Sequence, residues 1–265
     1  MIRQRNDINL HVLGTWPEAG TWVSLVGARS ATAAGLRQAH RLAADLAKAG
    51  IVVVSGGALG IDAAAHEGAL AAGGTTVAAL ASLHILYPPR NRGLFSAILR
   101  AGGALVTPHA DVTPVLPKPF RFLTRNAAMA AISDAVIVVE GETSSGSLHT
   151  AGEAGKLGRV VGAVPGSAGT ELLLARGGVL VESAADVIRA LAGEPRRREL
   201  ATPDPGSDAA LTLAALSPAE PRSIDLIGRA AGLAPARAAR ALFTLELDGW
   251  ALAVPGGQFL RAEVR

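Results

Sequence analysis

The chain has 265 residues, a net charge of only +3 and no cysteine, and 49% of its residues are hydrophobic. This length allows one α/β domain of ordinary size plus a small second domain, and the missing cysteines exclude disulfides, thiolate metal sites and a cysteine nucleophile. No apolar run is typical of a membrane span, and the first residues lack the apolar segment of a secretory signal. We therefore expect a cytoplasmic protein with no membrane partner.

Strands and helices alternate through residues 1–195, which we predict to form one α/β domain. Apolar, β-branched runs predict strands over 22–27, 51–55, 75–80, 104–107, 134–139 and 160–164, and the other apolar segments predict helices over 33–49, 59–72, 91–101, 121–132, 146–157 and 184–192. A proline-rich loop covers 108–119. This alternation is typical of a doubly wound parallel sheet, whose ligands bind at the carboxyl ends of its strands.

Three glycine- or serine-rich turns follow predicted strands, at 27–30, 55–60 and 141–147. Each turn leads into a predicted helix, so each would direct backbone N–H groups and the positive end of a helix dipole at one point. Phosphate is the natural ligand of that arrangement. The sequence therefore predicts one phosphate-binding rim, built from these three turns along one edge of the sheet.

The first turn departs from the motif of a nucleotide cofactor. Arg29 stands where the second glycine of a G-x-G-x-x-G turn would admit a pyrophosphate, and no G-x-x-x-x-G-K-[ST] segment is present. An arginine in a phosphate turn suits a charged backbone held by a bidentate fork instead. We expect no cofactor.

Candidates for metal binding and nucleophilic catalysis are weak. Asp62 and His66 are spaced i, i+4 on one predicted helix, but no third ligand is apparent, so we interpret them as a capping carboxylate and a hydrogen-bonded histidine. The serines at 144–147 lack the G-x-S-x-G elbow of a hydrolase and are interpreted as an anion-binding helix N-terminus. We expect no metal site and no catalytic residue.

A basic segment lies between residues 84 and 126, where six lysines and arginines face Asp111 alone. Its last part, from Lys118 to Asn126, combines three cations with Phe120 and Phe122. Cations bind phosphates, aromatic rings stack on unpaired bases, and asparagine can hold a base. We expect one of the two phenylalanines in the core and the other free for stacking.

Residues 196–207 predict a linker, because prolines, charges and Gly-Ser replace apolar periodicity there. Residues 208–265 predict a winged helix of three helices and a β-hairpin, with Ser223 as the N-cap of the second helix. This unit is neutral, and its third helix balances Arg237 and Arg240 with two acidic residues. A protein-contact or regulatory role is therefore favoured over duplex reading.

Together these motifs resemble the DprA/Smf family (DNA-processing protein A). The matching pieces are Val26-Gly27-Ala28-Arg29, 54–62 with Ala65-His66, Tyr87-Pro88 with Asn91, Phe122 with Arg125-Asn126, Val138-Val139-Glu140, 145–151 and Val164-Pro165-Gly166. They run in order over residues 22–180, and the tail resembles the family's winged-helix domain. Because only about 20 residues precede the first predicted strand, the family's N-terminal helical domain is expected to be absent, as in a shortened or divergent member.

The resemblance implies an extended Rossmann-like domain that binds single-stranded DNA. It also implies a homodimer that loads a RecA-type recombinase during DNA uptake, natural transformation (competence) and recombination. By motif, the implied DNA-binding residues are Gly27, Arg29, Ser55, Gly56, Gly57, Phe122, Arg125, Asn126, Ser145, Gly146 and Ser147. Lys118 is added to this set from its charge alone.

Two other functions stay open. Residues 165–170 resemble a signature of cytokinin-type phosphoribohydrolases, although the glutamate that this signature needs is Leu173 here. The second is a transcription regulator that combines a nucleotide-sensing α/β domain with a winged helix, although the third helix of the winged helix is neutral here. We expect a DNA-binding protein that is not an enzyme.

Overall fold

The computed structural model describes residues 1–110, 118–196 and 202–262, and of Leu247 only the backbone. Parts of the predicted proline-rich loop (111–117) and of the predicted linker (197–201) lie outside these ranges. The described chain divides into two compact units. The first comprises Met1–Thr170 with Val179–Arg196, and the second comprises Glu171–Gly178 with the described residues after Arg196. The domain boundaries 1–195, 196–207 and 208–265 stay predictions.

One large sheet forms the first unit, with nine strands among the described residues. They are β1 (Ile2–Arg5), β2 (Ile8–Gly14), β3 (Trp22–Gly27), β4 (Val52–Ser55), β5 (Thr76–Ala79), β6 (Ala104–Thr107), β7 (Ala135–Glu140), β8 (Val160–Ala163) and β9 (Val179–Leu180). Their order is β1-β2-β6-β5-β4-β3-β7-β8-β9, parallel from β6 to β9, with β1 and β2 antiparallel at one edge.

Helices cover both faces of this sheet, since Trp22 through Val26 of β3 are all buried. The helices of this unit are α1 (Ala33–Lys48), α2 (Ile61–Ala71), α3 (Arg92–Arg100), α4 (Pro119–Ile132), α5 (Gly146–Lys156) and α7 (Ala184–Leu191), whereas α6 (Ala168–Ala175) begins in this unit and continues into the second. One core cluster joins Leu25 and Ile137 to α1, α2 and α7, and another joins Leu105 to Phe95 of α3. The predicted doubly wound α/β fold is confirmed.

An N-terminal hairpin is the main addition to the predicted elements. Its two strands meet at Asn6 and Asp7, which have φ values of 49° and 63°, as both central residues of a type I′ turn do. Leu10 and Val12 are buried while their neighbours are not. This period-two alternation is a strand signal, so the hairpin could have been found from the sequence.

The order of the strands reverses at β3, which lies between β4 and β7. In doubly wound sheets, such a reversal opens a crevice outside the carboxyl ends of the strands. The turns at 27–30, 55–60 and 141–147 follow β3, β4 and β7, respectively. All three therefore meet at this crevice.

The second unit is a winged helix, as predicted. Its helices are α8 (Asp208–Ala215), α9 (Ile224–Ala231) and α10 (Pro235–Leu247), and its small antiparallel sheet has the order β10 (Arg222–Ser223), β12 (Gln258–Arg261), β11 (Ala251–Val254). Ser223 caps α9 by accepting the N–H of Leu226 at 3.4 Å. The core includes Leu213, Ile227, Leu242 and Trp250. Among the described helices, none has the length and apolarity needed to cross a membrane.

Candidate functional site

A cavity of about 310 Å³ opens at the crevice, and we call it the central cavity. Seven of the predicted site residues line it together: Gly27, Arg29, Arg125, Asn126, Ser145, Gly146 and Ser147. Ala58 and Asp62 complete the side formed by the second turn. Residues from three turns and from α4 thus converge on one space, although more than 110 positions of sequence separate the first from the last.

Gly27 is needed for this convergence. A Cβ atom there would lie 2.6 Å from Cγ1 of Ile61 and 2.7 Å from the carbonyl oxygen of Glu140. The next residue, Ala28, donates its N–H to that same carbonyl oxygen and accepts the N–H of Ile61. Glycine therefore lets the end of β3 pack closely against both α2 and β7.

Arg125 is a buried cation, with 6% of its surface exposed. Its Nη1 lies 3.9 Å from Oδ2 of Asp62 and donates to the carbonyl oxygen of Ala79 at 3.3 Å, whereas its buried Nε has no partner among the described residues. Burying a charge costs several kcal/mol unless close partners compensate it. Because the contacts of Arg125 are long and incomplete, its guanidinium group would bind an anion in the cavity strongly.

Gly56 makes room for this cation. A Cβ atom at position 56 would lie 1.4 Å from Nη1 of Arg125 and 2.6 Å from Oδ2 of Asp62. No side chain larger than hydrogen fits without moving the guanidinium group. The glycine of the second turn is thus required for the position of Arg125.

The ionisable groups around Arg125 respond to burial and to its charge. Burial raises the pKa of the Asp62 carboxyl, and Arg125 and the backbone N–H groups of Ala58 and Gly56 oppose that rise. Burial lowers the pKa of Arg125, Asp62 opposes that change, and the like charge of Arg29 adds to it. Burial, aided by Arg125, lowers the pKa of His66 to about 3.

The structure confirms His66 as a hydrogen-bonded histidine, whereas Asp62 binds an N–H group of the turn that precedes the helix N-cap, Gly60. Asp62 accepts the N–H of Ala58 at 3.3 Å, and Nδ1 of His66 lies 2.7 Å from Oγ1 of Thr76. Since Thr76 donates to the carbonyl oxygen of Val53, the imidazole must donate from Nδ1. No group of three or more His, Asp or Glu side chains within the described ranges could hold a metal ion.

The three predicted phosphate turns are not equivalent. At the N-terminus of α1, Glu140 accepts the N–H of Thr32 at 2.9 Å and its hydroxyl at 2.6 Å. In the second turn, just before the N-terminus of α2, Asp62 accepts the N–H of Ala58. Internal carboxylates therefore already occupy the places where phosphates were predicted at the first two turns. This corrects the expectation that all three turns contribute to one phosphate-binding rim.

Of the three turns, the one at the N-terminus of α5 is open to an anionic ligand. It has no acidic residue in its first turn, and its N-cap, Ser145, makes no side-chain capping bond. The hydroxyls of Ser145 and Ser147 lie 2.7 Å apart, and Asn126 donates to the carbonyl oxygen of Gly146 at 3.3 Å. Free N–H groups at a helix start, with hydroxyls beside them, form an anion site. That site and Arg125 line the same central cavity.

A second cavity of about 170 Å³ adjoins the first, and we call it the aromatic cavity. Its lining includes Gly56, Tyr87 and Phe122, and it shares Arg29 and Arg125 with the central cavity. The rings of Tyr87 and Phe122 meet edge to face with their centroids 6.0 Å apart. Cationic and aromatic groups are therefore adjacent, as recognition of a nucleotide requires.

Three predicted residues line neither cavity. Ser55 is fully buried and donates to the carbonyl oxygen of Leu25 at 2.6 Å. Gly57 is buried, and a Cβ atom there would lie 2.7 Å from Phe95. Lys118 is exposed at the N-cap of α4. Ser55 and Gly57 thus support the second turn from its buried side, whereas Lys118 lies on the surface.

The positions of the aromatic residues contradict one prediction and add one residue to the predicted site. Phe120 is 53% exposed and Phe122 is half-buried at the aromatic cavity, so neither is a core residue and the prediction that one would be is wrong. Tyr87, 45% exposed, was absent from the predicted site. Its position in the basic segment, as the only tyrosine of the chain, was the available signal.

Family models match most of the chain. Residues 4–192 match the model described as DNA recombination-mediator protein A, and residues 194–257 match the DprA winged helix domain. The putative DNA processing protein DprA of Mycobacterium tuberculosis is 42% identical over 246 residues, covering 86% of this chain and 61% of that protein. Protein Smf of Escherichia coli is 33% identical over 256 residues, covering 89% and 66%. The chain thus spans less than two thirds of these relatives' length.

Solved structures agree with these matches. DprA from Streptococcus pneumoniae aligns with a TM-score of 0.60 and 32% identity, over 68% of this chain and 65% of that one. DprA from Helicobacter pylori, whose structure concerns the single-stranded DNA binding mode of that protein, aligns with a TM-score of 0.63 and 30% identity, over 71% and 88%. The chain belongs to the DprA/Smf family of DNA recombination-mediator proteins.

Proposed function

We propose that this protein binds single-stranded DNA in the joined central and aromatic cavities. The observation that carries the proposal is the under-compensated cation Arg125, which lines the same cavity as the open N-terminus of α5. One phosphate can bridge the guanidinium group and the N–H groups of Gly146 and Ser147. This pairing binds the backbone and carries no preference for a base.

The aromatic cavity favours unpaired bases. Tyr87 and Phe122 lie beside the two arginines that both cavities share, so a base could stack there while its phosphate contacts Arg29 or Arg125. A duplex keeps its bases stacked inside the helix and could not offer one to this cavity. The arrangement therefore fits a single strand better than a duplex.

The wider role rests on the family. We propose that the protein acts without catalysis, as a homodimer in the cytoplasm, and presents its strand to a RecA-type recombinase during DNA uptake, transformation and recombination. The matching family is described as a recombination mediator, and the Helicobacter pylori relative binds single-stranded DNA. Leu173, which occupies the position of the phosphoribohydrolase glutamate, supports a binding role over an enzymatic one.

The winged helix fits a protein-contact role in this proposal. Arg237, one of the two arginines on α10, has Nε 2.9 Å from Asp208 and is committed to that carboxylate. Phe243 of the same helix is 61% exposed. An engaged cation and an exposed aromatic ring are poor features for binding duplex phosphates and good ones for binding a protein.

The test compares oligo-dT with a duplex of the same length, at low and moderate salt, for the wild type and Arg29→Ala. We expect preference for the single strand, and at least a roughly tenfold loss of affinity in the variant because its phosphate-binding cation is removed. Arg41→Ala is the matched control, since Arg41 is an exposed cation of α1 that bonds Gln38 and lines neither cavity. Duplex preference, or equal effects of the two variants, would contradict the proposal.

A further inference from the structure

A third depression, which we call the α1–α2 groove, lies beside the central cavity. It encloses about 530 Å³ between the first two helices of the sheet unit. Arg29 lines this groove as well as the central and aromatic cavities. A polymer that contacts Arg29 in the central cavity therefore has a continuous surface to follow onto the two helices.

The charge of the groove is mainly basic. Its charged lining residues are Arg29 and Arg37 against Glu67, and His40 lines it as well. Arg37 and His40 are exposed, and their side chains make no hydrogen bond or ion pair with the part of the chain that the structure describes. An unpaired arginine beside a phosphate site attracts further phosphates of the same strand.

The walls between these charges are small and apolar. Ala63 and Ala64 of α2 face Leu36 of α1 in the groove, and Gly60 lies at its end nearest the turns. At Gly68 the two helices are so close that a Cβ atom would lie 2.1 Å from the carbonyl oxygen of His40. Close packing leaves a shallow channel in which cations project from the rims.

At the N-terminus of α1, an anion in the groove would have to bind side chains. Glu140 already occupies the N-terminus of α1, so the helix dipole of α1 is not available to a phosphate there. Interactions of flexible, exposed side chains are individually weak and sensitive to salt. Such interactions suit a strand that passes along the surface more than a small ligand that must bind at one point.

We propose that the α1–α2 groove is a second backbone subsite, which receives the phosphates of the same DNA strand as it leaves the central cavity across Arg29. This inference rests on the proposed function and extends its site. Arg37 is the main cation of the subsite, and Glu67 opposes binding through its negative charge. The subsite adds affinity for strands long enough to reach it and none for shorter strands.

The test measures binding of oligo-dT strands of about six and about twelve nucleotides over a range of salt concentrations. Arg37→Ala should leave the short strand unaffected and weaken the long strand by about three- to fivefold. The slope of log affinity against log salt for the long strand should become shallower by about 0.7, because the protein then neutralises one phosphate fewer. Arg41→Ala, one turn further along α1 and outside the groove, should change neither length.

A second variant gives an effect of opposite sign. Glu67→Gln should strengthen binding of the long strand by about twofold at low salt and leave the short strand unaffected, because a repulsive charge is removed. No length dependence in either variant would overturn the subsite while leaving the proposed function intact. Failure of the wild type to bind even the short strand would instead overturn the proposed function and the subsite with it.

Discussion

The N-termini of α1 and α5 look alike in the sequence and differ in the structure. Both follow an apolar strand and a small-residue turn, and both meet the same crevice. Glu140 occupies the first, whereas no acidic side chain occupies the first turn of α5. A strand–turn–helix motif thus identifies a place where an anion can bind, and the side chains around it decide whether that anion is internal or a ligand.

Removing Arg125 should have the largest effect, because it is the buried cation opposite the open helix N-terminus. We expect Arg125→Met to weaken oligo-dT binding by about 100-fold, or about 2.7 kcal/mol, as measured by fluorescence anisotropy. Arg121→Met, one turn earlier on α4 and outside both cavities, should have a much smaller effect.

A double variant separates binding from folding. Arg125→Met leaves Asp62 buried without its cation, which lowers stability. Asp62→Asn added to it should recover part of the free energy of unfolding in urea and should not restore binding. Recovery of binding in the double variant would show that Arg125 acts through the fold and not on DNA.

Arg125 helps to lower the pKa of His66, so its removal should change that pKa. Removal of Glu140 should leave the pKa of His66 unchanged. The low folded-state pKa of about 3 means that the unfolded chain takes up the proton first. His66 therefore costs stability as pH falls from about 6.5 towards 3, by roughly 1 kcal/mol between pH 7 and pH 5.5. Urea unfolding of the wild type and His66→Gln at both pH values measures this contribution. An NMR titration in which Arg125→Met leaves the pKa of His66 unchanged would refute the coupling.

Ser145→Asp should make α5 resemble α1, because it places a carboxylate at the open N-terminus. We expect about tenfold weaker oligo-dT binding, together with helix stabilisation of about 0.5 kcal/mol. Ser207→Asp is the matched control, since Ser207 is the N-cap of α8 in the other unit and accepts the N–H of Ala210. Unchanged binding in Ser145→Asp would mean that phosphate does not use this helix terminus.

Glu140→Ala should make α1 resemble α5, and its effect is the smallest. Loss of the acceptor for Thr32 should cost about 1 kcal/mol in the free energy of unfolding, and Glu140→Gln should cost less because it keeps one acceptor. Inorganic phosphate should then raise the Tm of Glu140→Ala more than that of the wild type. Equal shifts would mean that the exposed α1 terminus does not bind anions.

Local signals in the sequence predicted much of the fold. The strand and helix bounds agree closely with those observed, and Ser223 and His66 have the structural roles expected of them. These features depend on residues that lie close together in the sequence. The occupant of the α1 terminus could not be found in this way, since Glu140 lies 108 positions from Thr32 and reaches it only because β7 pairs with β3.

The same distinction explains the aromatic residues. Residue type suggested a buried phenylalanine on α4, but that helix is buried only from Arg125 onward, so both phenylalanines lie on its less covered first turns. The meeting of Phe122 with Tyr87, and of Arg125 with Asp62, depends on how α4 packs over the turns. Tertiary packing, which no local pattern encodes, decided these contacts.

Amide hydrogen exchange with and without oligo-dT tests the central claim most directly. The N–H groups of Gly146 and Ser147 should exchange more slowly when DNA is bound, because phosphate accepts them. The N–H of Thr32, already bonded to Glu140, should not change. Protection at Thr32 with none at Gly146 and Ser147 would contradict the claim that DNA phosphate binds the open N-terminus of α5.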